Sequence, residues 1–148
     1  MSFKNKTVLI TGSTSGIGLG IAHGFGKEGC NLIINGFGDA AEIETIRSGL
    51  EKDYGIKVIY DGADMSKAES IEAMMNHAAK EFGGVDVLVN NAGIQHVSPI
   101  EEFPVAKWDA IISINLSSAF HTSRLAIPYM KSKHWGRIIN IASAQEWP

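Results

Sequence analysis

An excess of either charge is missing from this chain: 13 Lys and Arg stand against 16 Asp and Glu, a net charge of −3. That balance supplies no footprint for DNA, RNA or an anionic membrane surface, which call for clustered cations. The densest basic run, Lys131, Lys133, His134 and Arg137, reads as a helix end, where cations complement the macrodipole. Cysteine is nearly absent. Cys30 stands alone, so an internal disulfide is excluded and a cytoplasmic, reducing setting is expected. At a strand entrance it is expected to be a small buried apolar residue rather than a reactive thiol. His23, His77, His96, His121 and His134 show neither HExxH nor CxxC-like spacing, so no metal site is expected. No stretch approaches the ~20 apolar residues that span a bilayer. The N-terminal run MSFKNKTVLITG leads straight into a strand and lacks a signal-peptide layout.

What is present alternates. Short runs rich in Val and Ile, at Thr7–Thr11, Asn31–Asn35, Lys57–Tyr60, Val85–Asn90 and Arg137–Ala142, are apolar without strict alternation. That is the pattern of parallel strands covered on both faces. Between them, Gly16–Lys27 carries Ile17, Ile21 and Phe25 at helical spacing. Asp39 with Glu42, and Ser66 with Glu69, have the offset of capping boxes. Ile43, Ile46 and Leu50 then form one core face, and Ile71, Met74, Met75 and Ala78 another. A last long helix is expected from about Lys107 to Lys131, with Trp108 in the core. Strand–helix alternation of this kind implies βαβ crossovers and a doubly wound α/β parallel sheet of Rossmann type, with five strands present in one domain, residues 1–148.

The first strand runs directly into TGSTSGIGLG, which places Gly12, Gly16 and Gly18 where strand becomes helix. A dinucleotide turn needs glycine there, to reverse tightly and to let backbone N–H groups approach a pyrophosphate. The end of the second strand commonly decides the cofactor: an acid holds the ribose 2′-hydroxyl, and an Arg accommodates a 2′-phosphate. This chain has Gly36 and Phe37 there instead, and Asp39 reads better as a helix cap. With no cation at that end or at Ser13 and Thr14 in the turn, NAD is favoured over NADP.

TGSTSGIG, then DVLVNNAG, NLS in the long helix and IINIAS on the fifth strand together resemble the short-chain dehydrogenase/reductase superfamily, in family order over nearly the whole chain. NGFGDAAEIE, YDGADMS and NNAGIQHV are further similar to the bacterial D-3-hydroxybutyrate dehydrogenases. The resemblance implies that Gly12, Thr14, Ser15, Gly16, Ile17 and Gly18 bind the pyrophosphate region of NAD. Phe37 would lie by the adenosine ribose, and Asp64 with Met65 would meet the adenine. Asn91, Ala92 and Gly93 would line the ribose side. Asn115 would anchor a water-linked proton relay, Ser143 would bond the substrate oxygen, and Gln95 would help hold a substrate carboxylate. His96 is read as a pocket wall.

The same resemblance implies a Tyr-x-x-x-Lys pair beyond the serine, whereas Tyr54, Tyr60 and Tyr129 all precede Ser143, including Tyr129, which has Lys133 at the fourth following position. After the strand the chain reads Ser143-Ala144-Gln145-Glu146-Trp147-Pro148, where the hydroxybutyrate enzymes read Ser-Ala-His-Gly. The expectation is therefore an N-terminal portion, C-terminally truncated relative to the family. It lacks two further strands of the order that begins 3-2-1-4-5. Full-length relatives are expected to be homotetramers that oxidise (R)-3-hydroxybutyrate to acetoacetate, a reaction of ketone body metabolism. This chain is expected to bind NAD weakly without turnover and to self-associate. A 3-oxoacyl reductase-like enzyme and a non-catalytic nucleotide-binding or interaction module are the alternatives.

Overall fold

The computed structural model describes residues 2–143; Ala144 to Pro148, the stretch that departs from the hydroxybutyrate pattern, lie outside the described residues. Five strands and their crossovers follow one another: β1 (Thr7–Ile10), α1 (Gly16–Lys27), β2 (Asn31–Asn35), α2 (Ala40–Tyr54), β3 (Val58–Asp61), α3 (Ala68–Phe82) and β4 (Val87–Asn90). A 3₁₀ turn (Ile100–Glu102), α4 (Val105–Ile112), a π turn (Ser113–Ser117), α5 (Ser118–Ser132) and β5 (Arg137–Asn140) complete them. The sheet is parallel in the order β3-β2-β1-β4-β5, the doubly wound arrangement expected of the sequence.

Alternation across the central strands sorts the core into two layers. Val8 and Ile10 of β1, Leu32 and Ile34 of β2, and Val87 and Val89 of β4 pack with Ala22 of α1 and Leu50 of α2. Leu9, Ile33 and Leu88 point the other way, onto Ile71, Met74 and Met75 of α3 and Ala126 and Met130 of α5. Side chains such as Leu9, Ile33 and Leu88 are wholly buried, each contributing roughly 1.5–3 kcal/mol by leaving water. Cys30 is buried as expected, and burial pushes its thiol pKa up to about 11.

Helix starts follow the sequence in part. Asp39 caps α2, its Oδ1 accepting from the amides of Ala41 and Glu42 at 3.0 Å each. The Ser66 box does not form. α3 starts one turn position later, with Lys67 at the cap and no side-chain cap bond, because the Ser66 hydroxyl donates instead to Asp64 Oδ1 at 2.6 Å. No helix among the described residues is long and apolar enough to cross a membrane.

The long last helix is interrupted. At Ser113–Ser117 the helical path takes a π turn, a single-turn irregularity that often accompanies functional sites. Asn115 sits in it and clamps the segment after β4: its Oδ1 accepts from the Ile94 amide, and its Nδ2 donates to the Ile94 carbonyl, both at 2.9 Å. Trp108 is not in the core. It is 54% exposed, because the face of α4 that carries it has no covering layer among the described residues and meets only Phe103, edge-on at 6.5 Å.

β5 has the Val/Ile pattern of a buried strand yet is exposed along its length. Among the described residues its one neighbour is β4, so a whole edge of N–H and C=O groups faces outward. Asn90 ties it in: its Nδ2 donates to Asn140 Oδ1 at 2.9 Å, while its own Oδ1 accepts from the buried Thr122 hydroxyl at 2.6 Å. Val105, Trp108, Ile112, Leu116 and Phe120 are also exposed, along α4, the π turn and α5.

Two outcomes follow from these features. Asn115→Ala should leave the Ile94 amide without a partner, accelerating its hydrogen exchange while costing only about 1 kcal/mol of stability, since that amide is exposed to water. The unpaired apolar edge and helix stripe should make the chain self-associate. Light scattering should show a mass that rises with concentration, reduced by the double change Ile139→Lys and Phe120→Lys; a constant monomer mass would contradict this.

Candidate functional site

Three strand ends converge where the polypeptide leaves β1. The Thr11 hydroxyl oxygen accepts from the amides of Asn91 at 3.0 Å and Ala92 at 2.9 Å. The Asn91 side-chain amide returns two bonds, to the carbonyls of Thr11 and Gly12 at 3.0 Å each. From the other side Asn35, fully buried at the end of β2, accepts from the Gly12 amide at 3.1 Å and donates to the carbonyls of Asp61 and Ala63. Ser13 completes the knot: its amide donates to the Asn35 carbonyl at 2.6 Å, and its hydroxyl donates to the Ile10 carbonyl at 2.7 Å. Every polar side chain that this convergence buries is partnered, which such a low-dielectric place demands.

Glycine is required at two points here. Gly12 has φ +62, and a Cβ on it would lie 3.0 Å from the Ala92 Cα. A Cβ on Gly18 would strike the Gly12 carbonyl oxygen, so α1 starts flush against the turn. Its N-terminus is bare: Ser15 at the cap makes no side-chain bond, and no acid lies in the first turn. The unpaired N–H groups and the positive end of the helix dipole are thereby left facing outward, an arrangement suited to an anion.

Above this turn opens a cleft of about 450 Å³. Gly12, Thr14, Ser15, Gly16, Ile17 and Gly18 line it together with Phe37 and Met65. Asn91, Ala92 and Gly93 close it below. These sequence candidates are thus brought together. Ile17, spaced as a core residue of α1, is instead 70% exposed because it sits on the cleft wall. No charged side chain is among the lining residues.

Asp64 is not in the lining. Its carboxylate turns into a local loop, accepting from the Ser66 hydroxyl at 2.6 Å and amide at 2.9 Å. Those bonds, the hydroxyl's foremost, hold its pKa below the usual carboxylate range. Asn115 borders the cleft through Gly93 and Ile94 rather than lining it. Gln95 and Ser143 are exposed and stand outside it. His96 packs edge-on against Phe103 at 5.2 Å, also outside the lining. Residues that sequence reasoning left out of the site are Asn35, Ile94 and Ile114, all in the lining. For Asn35 a signal existed, an amide closing an otherwise apolar strand.

The comparisons agree on the lineage. A family model described as short chain dehydrogenase matches residues 6–146. The chain is 64% identical over 140 residues to a D-beta-hydroxybutyrate dehydrogenase of Cupriavidus necator, covering 93% of this chain and 53% of that protein. It is 56% identical over 139 residues to a D-beta-hydroxybutyrate dehydrogenase of Rhizobium meliloti, covering 94% and 54%. Among solved structures, L-sorbose reductase from Gluconobacter frateurii, complexed with NADPH and L-sorbose, superposes with a TM-score of 0.91 at 32% identity. That match covers 97% of this chain and 55% of the reductase. A metagenomic short-chain oxidoreductase in complex with NADP gives a TM-score of 0.90 at 29% identity, over 98% of this chain and 65% of its own. The chain thus spans about half the length of the curated relatives it matches. A five-stranded parallel sheet, a glycine turn locked by Asn91 and a match over nearly every residue place this chain in the short chain dehydrogenase family, whose members are oxidoreductases that use nicotinamide cofactors.

Proposed function

We propose that the 148-residue chain is the dinucleotide-binding unit of an NAD-dependent 3-hydroxybutyrate dehydrogenase, acting on (R)-3-hydroxybutyrate and acetoacetate. The observation that carries the reading is the cleft, whose shape and chemistry fit half of a dinucleotide. The bare N-terminus of α1 and the absence of a Cβ at Gly12, Gly16 and Gly18 suit a pyrophosphate. Phe37 and Met65 offer apolar surface to an adenosine. A lining without Lys or Arg favours NAD over a 2′-phosphorylated dinucleotide.

When bound, the nicotinamide supplies the hydride acceptor. The chain's own residues position and exclude. Asn91, Ala92 and Gly93 form the floor beneath the ribose, and Asn115 sets that floor by holding Ile94 on both backbone atoms. Ser143, following β5, would bond the substrate oxygen, and Gln95 would hold the carboxylate; Asp64 and Met65 would meet the adenine from the end of β3. Neither Asn115 nor Ser143 is a base at neutral pH. A phenol near its ordinary pKa of ~10 is a poor one as well without a neighbouring cation, and the Tyr-x-x-x-Lys spacing that the sequence contains, Tyr129 with Lys133, precedes Ser143 at the end of α5, where burial above all raises the Tyr129 pKa. A second reading, an NADP-dependent reductase, draws on the NADPH and NADP complexes among the structural neighbours.

Calorimetric titration tests the cleft. ADP-ribose should compete almost as well as NAD, because the adenine half of the site is supplied by residues of the cleft. NADP binding tighter than NAD would favour the second reading. Incubated with (R)-3-hydroxybutyrate and NAD, the purified chain should form no detectable NADH. Lost positioning alone forfeits effective molarities of ~10⁵ M or more, and a missing general base another ~10²–10⁴-fold. Turnover that disappears in Ser143→Ala would overturn this expectation.

A further inference from the structure

The connection between β2 and α2, residues 36–39, holds its one large side chain in water: Phe37 is 69% exposed at the lip of the cleft. An aromatic ring left there gains nothing from the core. Its two neighbours are Gly36 at φ 158 and Gly38 at φ 153, values that residues with a Cβ rarely adopt. The turn is therefore hinged on both sides of Phe37, and its backbone would wander unless tethered.

Two hydroxyls provide the tethers. Tyr60 Oη donates to the Gly36 carbonyl at 2.6 Å, half-buried. Thr14 Oγ1 donates to the Phe37 carbonyl at 3.4 Å, in the open. The first is short and shielded, the second long and wet, so Tyr60 is the stronger hold. Its ring is fixed in turn. Tyr60 stands in β3 opposite Ile34 of β2 and packs on the cluster of Val8, Ile10 and Ile34. A core-anchored phenol thus sets the direction of a carbonyl at the mouth of the cleft.

We propose that Tyr60 is a positioning residue for discrimination at the adenosine 2′ position. With the Gly36 carbonyl drawn onto Tyr60, the hinge is frozen and Phe37 stays on the lip. A 2′-phosphate approaching there meets an apolar ring and no cation, while a 2′-hydroxyl is admitted. Without the tether the glycine hinge relaxes, Phe37 moves off and the barrier to the 2′-phosphate falls. The inference rests on the dinucleotide reading given above and adds to it a residue that faces away from the cleft.

The test titrates the 148-residue chain with ADP-ribose and with its 2′-phosphorylated form. The unchanged chain should prefer ADP-ribose. Tyr60→Phe, isosteric but for the hydroxyl, should lower that preference about two- to tenfold, the worth of one neutral hydrogen bond. Tyr54→Phe is the control: it removes the 2.8 Å bond to His23 Nδ1, at the far end of α2, and should leave the preference unchanged. Thr14→Val should act in the same direction as Tyr60→Phe. Phe37→Ala should abolish the preference, after which adding Tyr60→Phe should change nothing, a non-additivity that general destabilisation would not produce. Binding by the unchanged chain with an unaltered preference in Tyr60→Phe, or additive losses in the double variant, would overturn the role of Tyr60 alone. Failure of the unchanged chain to bind either ligand would overturn the dinucleotide reading and this proposal together.

Discussion

A polar knot in an apolar sheet governs this molecule. β1, β2 and β4 are buried on both faces, so where they end their backbone groups have no water to turn to. Asn91, Asn35, Thr11 and Ser13 take up those groups by name: two carbonyls for Asn91 Nδ2, one amide and two carbonyls for Asn35, two amides for Thr11. Because these bonds join strand ends to the glycine turn and to one another, removing one partner would strand another in a low-dielectric place at a cost of about 1–3 kcal/mol. The cleft is the space this knot leaves open, and its shape is inherited from the knot.

The two faces of the sheet are stabilised unequally. Near β1 both layers are complete, with helices on each side. Toward β5 the layer thins: Ile138, Ile139 and Ile141 are more than a third exposed. The tie from Asn90 to Asn140 and Thr122 is then one of the few specific restraints that hold β5 in register with β4. Stability should accordingly decline from the centre of the sheet to this edge, with the segment leading to Ser143 at the low end.

Much of this was legible in the residues. The glycine spacing, the Val/Ile runs and Asp39 each act through local chemistry, and each stands where the sequence puts it. What failed did so through competition. Ser66 has the offset of a cap, but Asp64 two residues earlier offers its hydroxyl a charged acceptor, and the stronger bond wins. Trp108 is apolar at helical spacing, yet spacing does not say whether a covering layer exists. Asn35 was read as the last residue of its strand but not as part of the site, because its three partners arrive from distant parts of the chain. Asp64 was named from its motif, and the motif does not announce the bonds its carboxylate accepts from Ser66.

The π turn at Ser113–Ser117 also makes the chain sensitive to length rather than to identity. Such a turn stores one residue more than an α-helix would hold over the same rise, and that surplus aims Asn115 at Ile94. Losing one residue in the stretch would cancel that surplus and let the helix close into a regular spiral, with the segments on either side near their present phase. Asn115 would then lose the offset that aims it at Ile94. For this part of the fold, a one-residue deletion does more harm than most substitutions.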